Sequence, residues 1–399
     1  MSHANDLSRS LVALDQDSTL IAVIEMSQSS WLVGCLVPGV KREPLKKLDF
    51  ENLDGAPEAA LLALLQRWCE EARKAGRPVR RIAVAYEAGR DGFWLARWLR
   101  ARGIEAYVIH AASIPVERAH RRPKTDKIDI GLLKRSFVGW LRGEKGHCRM
   151  AGIPTAAEED ARRPSRERNT LVGERTRLIN RLKAALARNG IRGFAPTRRK
   201  AAALLTTLRT PEGEPLGRHI LAEMRRDLGR LALIDEQIRE IEAQRAERLT
   251  CAAAGQPDAP SDGTVYELAR VHGLGVDTAD LLTHEVVSRN LRDERAVARY
   301  GALTGSPDES GKRCREKGLA RAGNLRVRNA MLQLAWRFRH FQKECALVQW
   351  YEASCARLRD KPVMRKVLII ALARKLLIAL WRFATNGVVP QGLILRPAA

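Results

Sequence analysis

An α/β domain followed by an all-α remainder is the fold class that the 399-residue sequence predicts. Three observations predict it. Strand-like and helix-like runs alternate up to about residue 150, a charged 3.6-residue periodicity takes over beyond it, and the last part is helical and densely basic. The domains expected on this basis are residues 1–154, a helical coiled-coil middle at 155–255, and a mainly helical C-terminal domain at 256–399.

Taken in order, residues 11–14, 19–26 and 30–37 are short apolar or β-branched runs split by polar residues, which predicts a meander of three antiparallel strands. A helix follows over 57–75, with Leu61, Leu62, Leu65 and Trp68 on one face. Residues 81–85 read as a buried strand, 93–102 as a helix, 106–109 as a strand and 128–140 as a helix. That order is similar to a ribonuclease H-like α/β domain.

In the middle, Leu171, Leu178 and Leu182, then Ile220, Met224, Leu228, Leu231, Ile234, Ile238 and Ile241, recur at three, four or seven residues. This narrow seam predicts two long helices that pack on each other or on a partner subunit, joined through 192–215. The small, Pro- and Gly-containing stretch 251–263 reads as a linker. Near the end, 363–381 is the most membrane-like stretch, but Arg365, Lys366, Arg374 and Lys375 interrupt it well short of the roughly 20 apolar residues a span needs. It reads as a buried helix with a basic face.

Charge narrows the partners. Seventy Lys and Arg oppose 46 Asp and Glu, a net charge of +24, while 45% of residues are hydrophobic, so the chain is folded and its surface seeks a polyanion, nucleic acid first of all. The seven cysteines form no Cys-x-x-Cys pair, which argues against a disulfide framework or a structural zinc site. With no secretion signal at the start of the sequence, a cytoplasmic protein without a membrane partner is expected.

Several residues are able to carry chemistry. Asp15 closes the first apolar run and Glu87 follows the strand 81–85, so a sheet of the expected order would bring the two to one end. Asp126 and Asp129, three apart, share one face at a helix start, amid Arg118, Arg121, Arg122, Lys124 and Lys127. Four converging carboxylates need cations, and hard divalent ions such as Mg²⁺ favour oxygen ligands. Singly, each acid also reads as a turn former or a helix cap, and Asp17 competes with Asp15. The segment around Gly273-Leu274-Gly275 reads as a helix-hairpin-helix-like turn, whose backbone amides suit a phosphate. Ser306 and Ser310 lie in a loop that runs into Lys312 and Arg313. From Lys312 to Arg339 nine Lys or Arg oppose the single acid Glu316. A serine there is able to bind or attack a phosphate, or merely to form a turn.

Together these features resemble the DEDD-type insertion-sequence transposases of the "one-ten" family, over nearly the whole chain. The carriers are Ala13-Leu14-Asp15, Tyr86-Glu87-Ala88-Gly89, Lys124-Thr125-Asp126-Lys127-Ile128-Asp129, the Gly273 to Gly275 turn, Tyr300-Gly301-Ala302-Leu303 leading to Ser310-Gly311, Arg321-Ala322-Gly323-Asn324-Leu325-Arg326 and the tail around Arg374-Lys375. The resemblance implies a RuvC-like N-terminal domain in which Asp15, Glu87, Asp126 and Asp129 bind Mg²⁺, and a nucleophilic Ser310 that joins DNA covalently. It also implies donor and target DNA and a structured guide ("bridge") RNA as partners, with a homodimer that becomes a tetramer at synapsis. Arg321, Asn324 and Arg326 join the expected nucleic-acid-binding residues. A hydrolytic RuvC-like junction nuclease and a non-catalytic nucleic-acid-binding protein are the rival readings.

Overall fold

The computed structural model describes residues 7–53, 55–89, 92–114, 126–310, 313–320, 322–357 and 362–397. They divide into two compact units, Met1–Glu159 with Arg289–Asp293, and Asp160–Ser288 with Glu294–Ala399.

The first unit is built on a five-stranded sheet of order β3-β2-β1-β4-β5. β1 (Thr19–Met26), β2 (Ser30–Leu36) and β3 (Leu45–Asp49) form an antiparallel meander, while β4 (Arg81–Glu87) and β5 (Glu105–Ile109) continue the sheet parallel to β1. β1 is apolar on both faces because both are covered. Leu20, Ala22 and Ile24 join the core with α1 (Pro57–Lys74) and α2 (Trp94–Arg100). Ile21 and Val23 join the core beneath α3 (Asp126–Leu141). α1 buries Leu61, Leu64, Leu65 and Trp68, a helical stripe one turn wide. α3 buries Ile130, Leu133, Phe137 and Leu141 at the same spacing, and its Ile130 Cγ2 comes within 2.7 Å of where a Cβ on Gly34 would stand. Only glycine lets the helix lie that close.

Two strand expectations change. Residues 11–14 form no strand: Leu11 and Val12 are 58% and 61% exposed, and the segment is pinned by the Ser10 amide donating to the Trp140 carbonyl (2.9 Å). The third strand of the meander is instead β3, Leu-Lys-Lys-Leu-Asp, whose lysines suit a sheet edge and hide it from a search for apolar runs.

After the short α4 (Ala156–Asp160), the second unit begins with α5 (Arg163–Ala187) and α7 (Arg218–Ala253), with α6 (Ala201–Thr207) between them. The seam predicted from the sequence closes within this chain: Leu182, Leu186, Met224, Leu228 and Leu231 share one core. Ion pairs Arg168–Glu242, Arg175–Asp235 and Arg181–Asp227 step along the two helices in opposite directions, which defines an antiparallel hairpin. The expected linker shrinks, because α7 runs on to Ala253 and Pro260 opens α8 (Pro260–Ala269). α9 (Val276–Glu285), α10 (Glu294–Tyr300), α11 (Leu325–Phe341), α12 (Ala346–Arg357) and α13 (Pro362–Asn386) follow. α13 is the expected buried helix, with Leu372, Ala373, Leu376, Leu377 and Leu380 inside. No described helix is long and apolar enough to cross a membrane. Between α10 and α11 the expected loop is an antiparallel β-hairpin, β6 (Gly305–Ser310) and β7 (Arg313–Leu319), whose polar sequence carries no strand periodicity.

Candidate carboxylate site and nucleic-acid-binding elements

The sheet register decides which acids of the first unit meet. β1 and β4 run parallel from Thr19 opposite Arg81 to Ile24 opposite Tyr86. One step further stand Glu25 and Glu87, on neighbouring strands about 4.8 Å apart. By strand alternation both belong to the face covered by α3, with Val23 and Ala85. Glu25 is half-buried and Glu87 exposed, as befits the open end of a sheet.

Asp15 is not there. It precedes β1, beside the start of β4, where the Arg80 and Arg81 amides donate to the Ser18 carbonyl at 2.9 and 3.2 Å. Six steps along β4, about 20 Å, separate its two ends. Asp15 closes a turn instead: it accepts from the Ser18 hydroxyl (2.6 Å) and the Asp17 amide (3.0 Å). These bonds, the Ser18 hydroxyl first, hold its carboxyl below the usual range. Asp17 shares that end and faces Arg77 at 3.4 Å. Convergence of Asp15 with Glu87 is therefore corrected: the first strand is one run later than expected, and Glu25 takes the place at its far end. The signal for it is a lone acid at the next-to-last position of the apolar run 19–26, one residue ahead of a Ser-Gln-Ser-Ser stretch.

Asp126 and Asp129 occupy the first turn of α3, next to the Ile130 that packs on Gly34, the register partner of Val23. The helix thus starts on the face shared by Glu25 and Glu87. The side chains of Asp126 and Lys127 lie outside the described residues, as do Arg121, Arg122 and Lys124 entirely. Among the described residues no three His, Cys, Asp or Glu side chains are gathered around one metal position. The donors themselves are all carboxylate oxygens, which fit a hard divalent cation in kind.

In the second unit, Gly273, at φ +86°, turns the chain between α8 and α9 as the sequence suggests. A Cβ there would meet Phe341 Cβ at 2.8 Å, and the Arg337 guanidinium lies 3.6 Å from the corresponding point on Gly275. The first turn of α9 already holds an anion of its own, because Asp277 pairs with Arg245 (2.5 Å) and Arg168 (3.1 Å). A cavity of about 240 Å³ lies here, lined among others by Arg168, Arg245, Arg337, Asn169 and Gln333.

Ser310 is the last residue of β6, in register with Arg313, so the two flank the hairpin turn; Ser306 stands at the other end of β6, beside an irregularity in the ladder. The side chains of Ser306, Ser310 and Arg313 lie outside the described residues, and Lys312 and Arg321 wholly so. Arg326 is exposed in the first turn of α11. Asn324 is different from expectation. Its side-chain oxygen caps α11 by accepting from the Arg326 and Val327 amides (3.0 and 3.4 Å), and its amide nitrogen donates to Glu285 and Tyr300 (3.2 and 3.0 Å). With both ends of its amide engaged, Asn324 caps α11 and braces the fold.

One model of known families matches residues 265–349, the segment that holds the glycine turn, the hairpin and α11, and it is described as Transposase IS116/IS110/IS902 family. A relative of full length is y4rJ of Sinorhizobium fredii (strain NBRC 101917 / NGR234), a transposase by name. It is 38% identical over 400 residues, covering 98% of this chain and 99% of the relative. Identity at this level along the whole length, with the family model on the hairpin region, shows that the chain belongs to the IS116/IS110/IS902 transposase family.

Proposed function

We propose that this transposase cuts and rejoins DNA through a covalent link at Ser310, assisted by Mg²⁺ held on the carboxylates of the first unit. The observation that carries the reading is the parallel register of β1 and β4, whose last partners are Ile24 and Tyr86, so that Glu25 and Glu87 are the next residue on each strand. Two carboxylates side by side on one face repel each other and favour a shared cation. Asp126 and Asp129 open the helix that covers the same face, so Glu25, Glu87, Asp126 and Asp129 are the acids that would hold the ion. Bound there, Mg²⁺ supplies Lewis-acid stabilisation of charge on a phosphate and its leaving oxygen. The strand order β3-β2-β1-β4-β5, antiparallel then parallel, supports the ribonuclease H/RuvC-like reading of this unit.

Ser310 pairs with Arg313 across the hairpin, and the sequence places Lys312, Arg313 and Arg315 directly after it, charges that draw in a phosphodiester. A serine–phosphate ester conserves the energy of the broken bond, so the strands rejoin without a nucleotide cofactor. The net charge of +24 suits donor DNA, target DNA and a structured guide RNA held together. The reading includes a dimer that pairs into a tetramer at synapsis.

The test is a reaction on element-end DNA with Mg²⁺, run on a denaturing gel. Protein-linked DNA is expected from the parent and is expected to vanish in Ser310→Ala while DNA binding persists. An adduct persisting in that variant assigns the chemistry to another residue, Ser306 first. Free cut ends without an adduct indicate hydrolysis by a junction nuclease.

A further inference from the structure

Glu285 is the last residue of α9 and is 4% exposed. A carboxylate there is costly twice over, since it is out of water and at the negative end of a helix. Three partners offset the cost. Arg166 on α5 donates from Nε and Nη2 to Oε1 at 2.8 and 2.7 Å. On the other oxygen, Oε2 accepts from the Tyr300 hydroxyl (3.3 Å) and from Asn324 Nδ2 (3.2 Å).

Tyr300 and Asn324 are the two posts of one gate. Tyr300 ends α10 just before β6, and Asn324 caps α11 just after β7. They are bonded to each other twice, Asn324 Nδ2 to the Tyr300 hydroxyl at 3.0 Å and the Asn324 amide to the Tyr300 carbonyl at 2.7 Å. Above them the Ala320 amide donates to the Thr304 carbonyl at 2.9 Å. The neck is tight enough to hold Ala302 at φ +53° and Gly323 at φ +113°, where a Cβ would stand 2.7 Å from the Arg299 carbonyl oxygen. Such backbone persists only when its surroundings fix it.

We propose that Glu285 is a positioning residue which, through Tyr300 and Asn324, fixes the neck of the hairpin that bears Ser310, and that Arg166 ties this hold to the α5–α7 helical hairpin. The functional half of the proposal rests on Ser310 being the nucleophile. The β6–β7 hairpin is a two-stranded element, marginal by itself, and Ser310 stands at its far tip. Small rotations at the neck are magnified there, and misplacement of about 1 Å is enough to slow an attack severely. Arg166 gives the hairpin a mechanical connection to α5, so a shift of the long helices on DNA or partner binding would reach Ser310.

Hydrogen exchange on the full-length protein, paired with adduct formation on the same preparations, tests this. In Glu285→Ala, amides of residues 305–319 are expected to lose about tenfold protection while those of α7 and α13 keep theirs, and adduct formation is expected to slow by at least about as much, with DNA affinity unchanged. Should Glu285→Ala not fold, Tyr300→Phe removes a single hydroxyl and is expected to loosen the same amides by about threefold. Unchanged exchange in the hairpin, or exchange raised equally throughout the unit, overturns the proposal. So does a loosened hairpin with an unaltered adduct rate. If the parent protein itself forms no adduct, the Ser310 reading fails instead, and the exchange data still decide whether Glu285 holds the neck.

Discussion

Arg181 on α5 and Asp227 on α7 form a two-bonded ion pair, Nε to Oδ2 at 2.7 Å and Nη2 to Oδ1 at 2.5 Å, with only 4% of the Asp227 side chain exposed. Arg230, one turn along α7, adds a bond to Oδ1 at 2.9 Å. A carboxylate this deep loses hydrogen-bond donors that water cannot replace when a partner is removed, whereas Arg181, half exposed, regains water when released. Arg181→Ala is therefore expected to destabilise the protein by about 1–3 kcal/mol, read from urea unfolding. A loss below about 0.5 kcal/mol would mean that Arg230 alone satisfies Asp227.

Acid sensitivity should centre on His284, which is buried on α9 with Nε2 3.5 Å from Asp280 Oδ1 and without a hydrogen-bond partner. Burial holds the imidazole below its ordinary value of 6.5 in spite of Asp280. With a depressed folded value, the unfolded chain takes up the proton first, so stability is lost as pH falls below about 6.5 toward the folded value. Asp280, raised by its own burial, contributes with the opposite sign, its protonation favouring the fold as pH falls. His284→Asn is expected to flatten the fall in melting temperature between about pH 6.5 and 5. An equally steep fall in that variant would place the acid-sensitive group elsewhere.

Much of this architecture is legible in the sequence because burial imposes periodicity. The run 19–26 reads as a strand, and Leu182, Met224 and Leu228 read as a helix seam, since in each case the apolar positions answer to a core. Legibility fails where another force shapes the chain. β3 is a lysine-rich edge, and β6 and β7 are polar strands held by a buried carboxylate at their neck. The acids show the same divide. Asp15 and Glu25 are both carboxylates beside apolar runs, and composition cannot separate them. Only the pairing of β1 with β4 reveals that one lies in a turn with Ser18 and the other beside Glu87. Glu285 was hidden for a similar reason: its partners come from residues 119 positions upstream and 39 downstream.

The central claim, that the working carboxylates gather at the C-terminal ends of β1 and β4, is tested most directly by comparing Glu25→Gln with Asp15→Asn in Mg²⁺-dependent adduct formation on element-end DNA. Removing a metal-binding carboxylate is expected to cost about 100-fold or more in rate, whereas opening an exposed turn is expected to cost less than about threefold. Loss of the adduct in Glu25→Gln with near-parental activity in Asp15→Asn is the predicted result. The reverse pattern, an inactive Asp15→Asn beside an active Glu25→Gln, would contradict the site.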